Sequence, residues 1–360
     1  MLRHSPLRHA GALLWKRRPL HLTFFVTRRC DARCDFCFSR GRTAAAGPEL
    51  STSEIARLAP TVGPLLWLSY SGGEPTLRED LPEITGIFAR HCRPVIVLLS
   101  TNGLEPMRTA AAAAGLLKAA PRSTIVVKLS LDGPPELHDR LRGCPGAHAS
   151  VLESLGLLRQ LAAREPRLQV GVNTVLSAAN QGITDEVFAE VSRLDGVDTH
   201  TLSLVRGTIP DPTLGNVDPA RYLAAAESLA RALRQGTQSR YRFLGARLKA
   251  AQDVLQRRII AETLRRQGRV IPCHAGRLNL VLDERGGLYP CEEFSLHMGN
   301  VRDHDFDVRA TAGSPQALAV LAAIERGECW CTHECYMMTN ILFSMRRYPA
   351  LLAEYLRMPR

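Results

Sequence analysis

His21-Leu22-Thr23-Phe24-Phe25-Val26-Thr27-Arg28-Arg29-Cys30-Asp31-Ala32-Arg33-Cys34-Asp35-Phe36-Cys37 joins a short apolar run to three thiols spaced C-x3-C-x2-C. The run is rich in β-branched and aromatic residues and reads as a buried strand. The thiols fall on the loop that follows it. Three thiolates suffice for three irons of a 4Fe–4S cube, because such clusters are held through cysteine sulfur. The fourth iron then has no protein ligand on this loop and stays open to a small molecule. An open position of this kind separates a reactive metal site from a closed structural one.

Working outward, the chain repeats this unit. Apolar runs at 21–26, 65–70, 95–99, 124–131, 168–174 and 199–205 alternate with helical stretches near 52–60, 79–92, 105–119, 147–164 and 182–194. Ser51 and Glu54 form a capping-box pair at the first of these helices. Strand–helix alternation predicts parallel strands buried on both faces. Six units make an α/β fold, a partial (β/α)6 barrel of TIM type whose reactive end is at the C-terminal ends of its strands. The Cys30–Cys37 loop lies at that end.

The remaining sequence divides by composition. Residues 1–19 are a basic N-terminal extension, expected to be solvated. The barrel core spans 20–216. Residues 217–269 are rich in Ala, Leu and Arg and predict two helices leaving the barrel, broken near Gly236 and Gly245. Residues 270–336 are a small Cys-rich β domain, and 337–360 a terminal helix. A chain of 360 residues accommodates one large domain and a small one.

With 45% hydrophobic and 22% charged residues the chain reads as globular. No apolar run approaches the ~18 residues that span a bilayer, and no secretory signal is visible. A cytoplasmic location and the absence of a transmembrane segment are therefore expected. The formal charge is +11. Nucleic acid is not the expected partner, since the arginines are scattered and two bound clusters would lower the charge to roughly +8. The ten cysteines gather at 30–37 and 273–335, with Cys92 and Cys144 alone between. Such clustering favours metal at both ends over a disulfide framework. Cys92 is expected to pack as a small hydrophobe.

Three motifs now stand together: the cysteine loop after strand one, Ser71-Gly72-Gly73-Glu74-Pro75 after strand two, and Ser130-Leu131-Asp132-Gly133 after strand four, followed by Arg140 and Arg142. Over residues 20–206 this pattern resembles the radical S-adenosylmethionine (SAM) superfamily. The resemblance implies a 4Fe–4S cluster on Cys30, Cys34 and Cys37 whose open iron is chelated by the methionine moiety of SAM. It implies further that Gly72 and Gly73 admit the backbone to the SAM ammonium, with Glu74 adding a charged contact. Phe36 would pack near the adenine, Ser130 would face the ribose, and Arg140 or Arg142 would pair with the carboxylate. For the last three the alternative is a loop serine and surface arginines. Asp132 belongs at the active end of strand four, its alternative being a locally hydrogen-bonded loop carboxylate.

The small domain, with Cys273, Cys291, Cys329, Cys331 and Cys335, resembles the SPASM/Twitch extension found behind many such barrels. A full SPASM extension carries more thiols and two clusters. Five thiols imply the shorter form with one auxiliary 4Fe–4S cluster. Cys273 and Cys291 are its firmest ligands, and two more come from Cys329, Cys331 and Cys335, the C-x3-C step favouring Cys331 and Cys335. A zinc knuckle using His274 or His333 is the other reading of this domain.

The resemblance implies reductive cleavage of SAM to a 5′-deoxyadenosyl radical that abstracts a hydrogen atom, with a reductant such as flavodoxin or ferredoxin. The outcome expected here is a net oxidation of a small molecule, carbohydrate or carrier-linked, because only ~20 residues precede strand one, too few for a peptide-recognition domain. The alternatives are a maturase acting on a ribosomally made peptide or protein side chain, and a non-enzymatic metal-binding interaction protein.

Overall fold

The computed structural model describes residues 4–40, 47–237 and 241–359. The six expected strands form as β1 (His21–Thr27), β2 (Trp67–Gly72), β3 (Ile96–Thr101), β4 (Thr124–Ser130), β5 (Leu168–Leu176) and β6 (Thr199–Leu204). Between them run α1 (Thr52–Val62), α2 (Leu81–His91), α3 (Pro106–Ala119), α4 (Pro135–Arg142), α5 (Ala147–Arg164) and α6 (Thr184–Arg193). Ser51 and Glu54 complete the expected capping box at α1. The short helix α4 replaces an expected loop. It is strongly polar and ends at Gly143, whose left-handed φ of 60° stops it.

All six strands pair in parallel, and the sheet is open. Its two faces differ. Leu22, Phe24, Leu68, Tyr70, Val97, Leu99, Val127 and Leu129 turn outward into the main core under the helices. Ser69, Ser71, Ser100, Lys128, Ser130, Asn173, Thr201 and Ser203 turn inward and line a cavity. The strands were expected to be apolar on both sides; strand alternation instead gives the barrel a polar lumen.

The C-terminal third contains α7 (Pro219–Gln235), α8 (Ala246–Arg266), β7 (Asn279–Leu282), β8 (Gly287–Tyr289), β9 (Gly299–Asn300), α9 (Val308–Ala312), α10 (Pro315–Arg326), α11 (Glu334–Leu342) and α12 (Tyr348–Arg357). Helix α8 does not leave the barrel. It is buried on most sides, and Lys249, Asp253, Gln256 and Arg257 wall the lumen. The Cys-rich segment is not a detached sheet either. Strand β7 pairs in parallel with β1, from His21 opposite Asn279 to Phe24 opposite Leu282, and β8 and β9 continue the sheet antiparallel. The terminal helix is two helices. Pro349, at the start of α12, has no N–H for a helix continuing from α11.

The basic arm is not a free extension. Residues Pro6–Leu13 form a 3-10 helix. Ala12 and Leu13 pack with Leu20, Leu66 and Leu278 at the N-terminal rim of the sheet. Arg8 Nη2 donates to the Leu65 carbonyl at 3.1 Å. Among the described residues no helix is long and apolar enough to cross a membrane.

Candidate active site

A cavity of about 360 Å3 runs through the lumen. At its upper end it touches Cys30, Cys34, Cys37, Phe36, Gly73, Glu74 and Ser130. The cysteine loop is seated on α4: Arg33 N donates to the Arg142 carbonyl at 2.9 Å and Asp35 N to the Leu141 carbonyl at 3.3 Å. Within the loop Cys37 N donates to the Cys34 carbonyl at 3.3 Å. Burial first, then Glu74 and Asp31, with Cys34 adding less, pushes Cys30 up to about 12, and burial, then Cys37, raises Cys34 against the opposing effect of Arg142. Such thiols are protonated at neutral pH and become thiolates only when a cation binds them.

The glycines of the second motif have a mechanical role. A Cβ on Gly73 would stand 2.0 Å from the Arg29 carbonyl oxygen, and one on Gly72 2.3 Å from that of Thr27. The end of β2 therefore lies flush against the stem of the cysteine loop. Gly73 N donates to the Thr27 carbonyl and Glu74 N to that of Arg29, both at 2.7 Å. Glu74 is buried. Its Oε1 accepts from Thr76 N, Thr76 Oγ1 and Thr101 Oγ1, and its Oε2 from Asn102 N at 2.8 Å. Burial nonetheless dominates and raises its pKa.

Arg142 lies under Phe36, its guanidinium carbon 5.1 Å from the ring centre. Its nitrogens hold Asp132, so the guanidinium is already engaged within the protein. Asp132 also accepts from Val175 N at 2.8 Å, which makes this carboxylate a buried brace between β4 and β5. Arg140 is exposed and does not line the cavity. Ser130 Oγ donates to the Thr101 carbonyl at 3.3 Å while facing the lumen.

In the C-terminal third the structure brings Cys273, Cys291, Cys329 and Cys331 together. Behind burial, Cys331, Cys273 and Cys329 each raise Cys291, Cys273 and Cys329 raise Cys331, and Cys329 raises Cys273. Cys335 faces the lumen instead. After burial its strongest influences are Glu292, Arg206 and Glu334, not another thiol. All ten cysteines are free. Among the described residues no three His, Cys, Asp or Glu side chains converge on a single ion. The Nε2 of His274 is enclosed without a partner, and His333 Nδ1 lies 3.7 Å from Glu292. Thiols are the donors that iron–sulfur clusters take, and they stand as Cys30, Cys34 and Cys37 on the first loop and as Cys273, Cys291, Cys329 and Cys331 in the C-terminal third. Cys92 packs in the main core, its Sγ donating to the Ala59 carbonyl at 3.2 Å.

Between the two thiol sets stands an ion-pair group that sequence reasoning missed. Arg206 Nη2 pairs with Glu292 at 2.5 Å and Nη1 with Glu334 at 3.5 Å, and Leu204 N donates to Glu334 at 2.9 Å. Asn102 was missed too; its Nδ2 donates to Asp31 Oδ1 at 2.6 Å, fixing the cysteine loop to β3. Lys128, at an inward position of β4, was legible in the alternation of that strand but was read as part of an apolar run.

The family model described as the radical SAM superfamily matches residues 24–193. The Fe-coproporphyrin III synthase of Methanosarcina barkeri is 33% identical over 180 residues, 46% of this chain and 42% of that protein. The chain thus spans less than half the length of that relative. The PqqA peptide cyclase of Rhodopseudomonas palustris is 27% identical over 287 residues, 74% of this chain and 70% of that protein. Among solved structures, native anSMEcpe with bound AdoMet and Kp18Cys peptide superposes with a TM-score of 0.62 at 15% identity, covering 94% of this chain and 100% of that one, a likeness of fold. The cysteine loop and the docked glycines lie within the matched region, so residues 24–193 form a domain similar to the radical SAM superfamily.

Proposed function

We propose that this enzyme modifies a side chain of a peptide, using a 4Fe–4S cluster on Cys30, Cys34 and Cys37 with SAM, and one auxiliary 4Fe–4S cluster on Cys273, Cys291, Cys329 and Cys331. The observation that carries the reading is a polar lumen that opens onto Cys30, Cys34, Cys37, Phe36, Glu74 and Ser130 at one end. The small-molecule outcome expected from the sequence gives way to a peptide because anSMEcpe, whose fold superposes over 94% of the chain, holds a bound peptide, and a peptide cyclase is similar over 74% of the chain. A second reading, a tetrapyrrole or similar small acid, draws on the 33% identity to Fe-coproporphyrin III synthase.

When bound, the reduced cluster and SAM supply a 5′-deoxyadenosyl radical that takes a hydrogen atom from a C–H bond. The chain's own residues do the rest. Gly72 and Gly73 hold the cysteine loop against β2, and Phe36, Ser130 and Glu74 border the space for SAM. Arg142 offsets the negative charge of the Cys34 thiolate. Burial of the lumen under α8 keeps water from a reactive intermediate. The basic surface suits an acidic one-electron donor of flavodoxin or ferredoxin type, and a cytoplasmic, reducing setting suits ten free thiols.

The test is anaerobic reconstitution with iron, sulfide and dithionite. Wild type should bind about eight irons and form 5′-deoxyadenosine. A variant with Cys30, Cys34 and Cys37 all changed to Ala should keep about four irons and form none. Continued 5′-deoxyadenosine formation in that variant refutes the assignment. To choose the substrate class, a host extract grown in deuterated medium is split into peptide and small-molecule fractions. Deuterium should reach 5′-deoxyadenosine from the peptide fraction; transfer from the small-molecule fraction alone favours the second reading.

A further inference from the structure

Helix α8 and strand β4 bring three cations to one wall of the lumen. Lys128 reaches over Gly171, where a Cβ would stand 2.5 Å from its Nζ, and donates to Thr199 Oγ1 at 2.5 Å. Lys128 and Lys249 flank the ring of Tyr241, their Nζ atoms 5.2 and 5.6 Å from its centre. Lys249 pairs with Asp253. Asp198, the other carboxylate that acts on Lys128, is already occupied by Arg242 Nε at 2.8 Å and by Val170 N at 2.8 Å.

Arg257 is left over. It is 4% exposed and lines the cavity. Its Nη1 is enclosed without an acceptor, and no ion pair or hydrogen bond engages it among the described residues. Set against Asp253, the cations Lys128, Lys249 and Arg257 leave two positive charges unbalanced. The neighbouring groups respond to this excess. Burial and then Lys249 push Lys128 down to about 7, and burial, Lys128 and Arg257 hold His200 neutral with a pKa of about 3. A buried charge without a partner is strongly disfavoured. Kept in a cavity wall, it is matched by an anion that arrives from outside. A guanidinium offers a carboxylate two parallel donors, and an ammonium beside it adds a point charge.

We propose that Arg257 and Lys128, flanked by Lys249, form a carboxylate-recognition pocket on the α8 wall, which anchors an acidic group of the substrate while the rest of it faces the Cys30–Cys37 end of the same cavity. This rests on the reading that the substrate enters the lumen. The carboxylate belongs either to a peptide side chain or to a small acid, and the probes separate the two.

The reconstituted holoenzyme is titrated calorimetrically, at constant ionic strength, with N-acetylglutamic acid N-methylamide, with glutarate, and with the neutral N-acetylglutamine N-methylamide. At least one acid should bind ten-fold or more tightly than the neutral amide, and the acid that binds names the source. Arg257→Met and Lys128→Met should each weaken that acid ten-fold or more. Equal binding of acid and amide, binding of neither acid, or unchanged acid binding in both variants overturns the proposal. Should Arg257→Met not fold, Lys128→Met and the acid–amide comparison on wild type decide it. Formation of 5′-deoxyadenosine by wild type is read without any probe. Its failure refutes the proposed function, whereas its presence with no acid preference refutes this pocket alone.

Discussion

Arg142 grips one oxygen of Asp132 with two nitrogens, Nε at 2.8 Å and Nη2 at 2.5 Å, and turns its third nitrogen to Cys34 Sγ at 3.8 Å. One cation therefore serves a buried carboxylate and a cluster-loop thiol together. Asp132 and Cys34 both raise the guanidinium pKa against the opposing effect of burial.

Arg142→Met should strand Asp132, which is 0% exposed, without a counterion. Breaking a buried pair from one side costs about 3–5 kcal/mol. Thermal unfolding of the reconstituted protein should show that loss, with iron occupancy at the first site falling alongside. A variant as stable as wild type with full iron content contradicts the role given to the pair.

Cys329→Ser and Cys335→Ser should behave differently. The first removes a thiol coupled to Cys273, Cys291 and Cys331 and should reduce bound iron by about half, as one 4Fe–4S cluster of two is lost. The second should keep both clusters by iron analysis and electron paramagnetic resonance. Loss of a cluster in the Cys335 variant would return that thiol to the ligand set, as its C-x3-C spacing from Cys331 first suggested.

Gly73→Ala forces a methyl group to within 2.0 Å of the Arg29 carbonyl oxygen, a backbone atom that cannot swing aside. Overpacking of this kind costs about 1–3 kcal/mol. The displaced segment leads directly into Cys30. Chemical denaturation should show the destabilisation, and the iron deficit should be confined to the first site. An alanine variant with wild-type stability would mean that β2 and the loop stem separate readily.

Lys128 sets a pH dependence of stability. Its pKa is about 7 in the folded protein against an ordinary lysine value of 10.5, lowered by burial and then by Lys249, with Arg257 adding to the effect and Asp253 and Asp198 opposing it. The native state binds the proton less tightly than the unfolded chain, so unfolding takes up a proton between these values. Stability contributed through this site therefore rises with pH from about 7 toward 10.5, by up to about 1.4 kcal/mol per pH unit. Below pH 7 the penalty is present in full. Relative to Lys128→Met, wild type should gain stability between pH 7 and pH 9 in anaerobic urea titrations. A flat difference would show that the ammonium is solvated.

The strand–loop–cysteine unit at 21–37 was legible because one local period and one local spacing carry it. The alternation of six such units then fixes a parallel sheet almost without choice. What stayed hidden needed partners far away in the chain. Lys128 looks like one polar interruption in 124–131 until Gly171 and Arg257 are brought beside it. Cys329 and Cys335 are nearly equivalent in sequence, and the turn into α11 separates them by sending Cys335 toward the lumen. Arg142 has no local sign that Asp132, rather than a ligand, receives it. The basic arm conceals Ala12 and Leu13, whose small apolar contact with the sheet rim is invisible amid the surrounding charge.

Strand β7 lies beside β1 in parallel; Cys30 follows the C-terminal end of β1, whereas Cys273 precedes β7 and Cys291 follows β8, which runs back antiparallel toward the N-terminal end. A strand advances about 3.3 Å per residue, so the span between the two thiol sets is set by the length of β1 and not by the length of the helical connection. Electron tunnelling between the sets would then run over a near-constant gap, insensitive to solvent viscosity. Extra residues inserted between α7 and α8 would lengthen the chain without lengthening that electronic path.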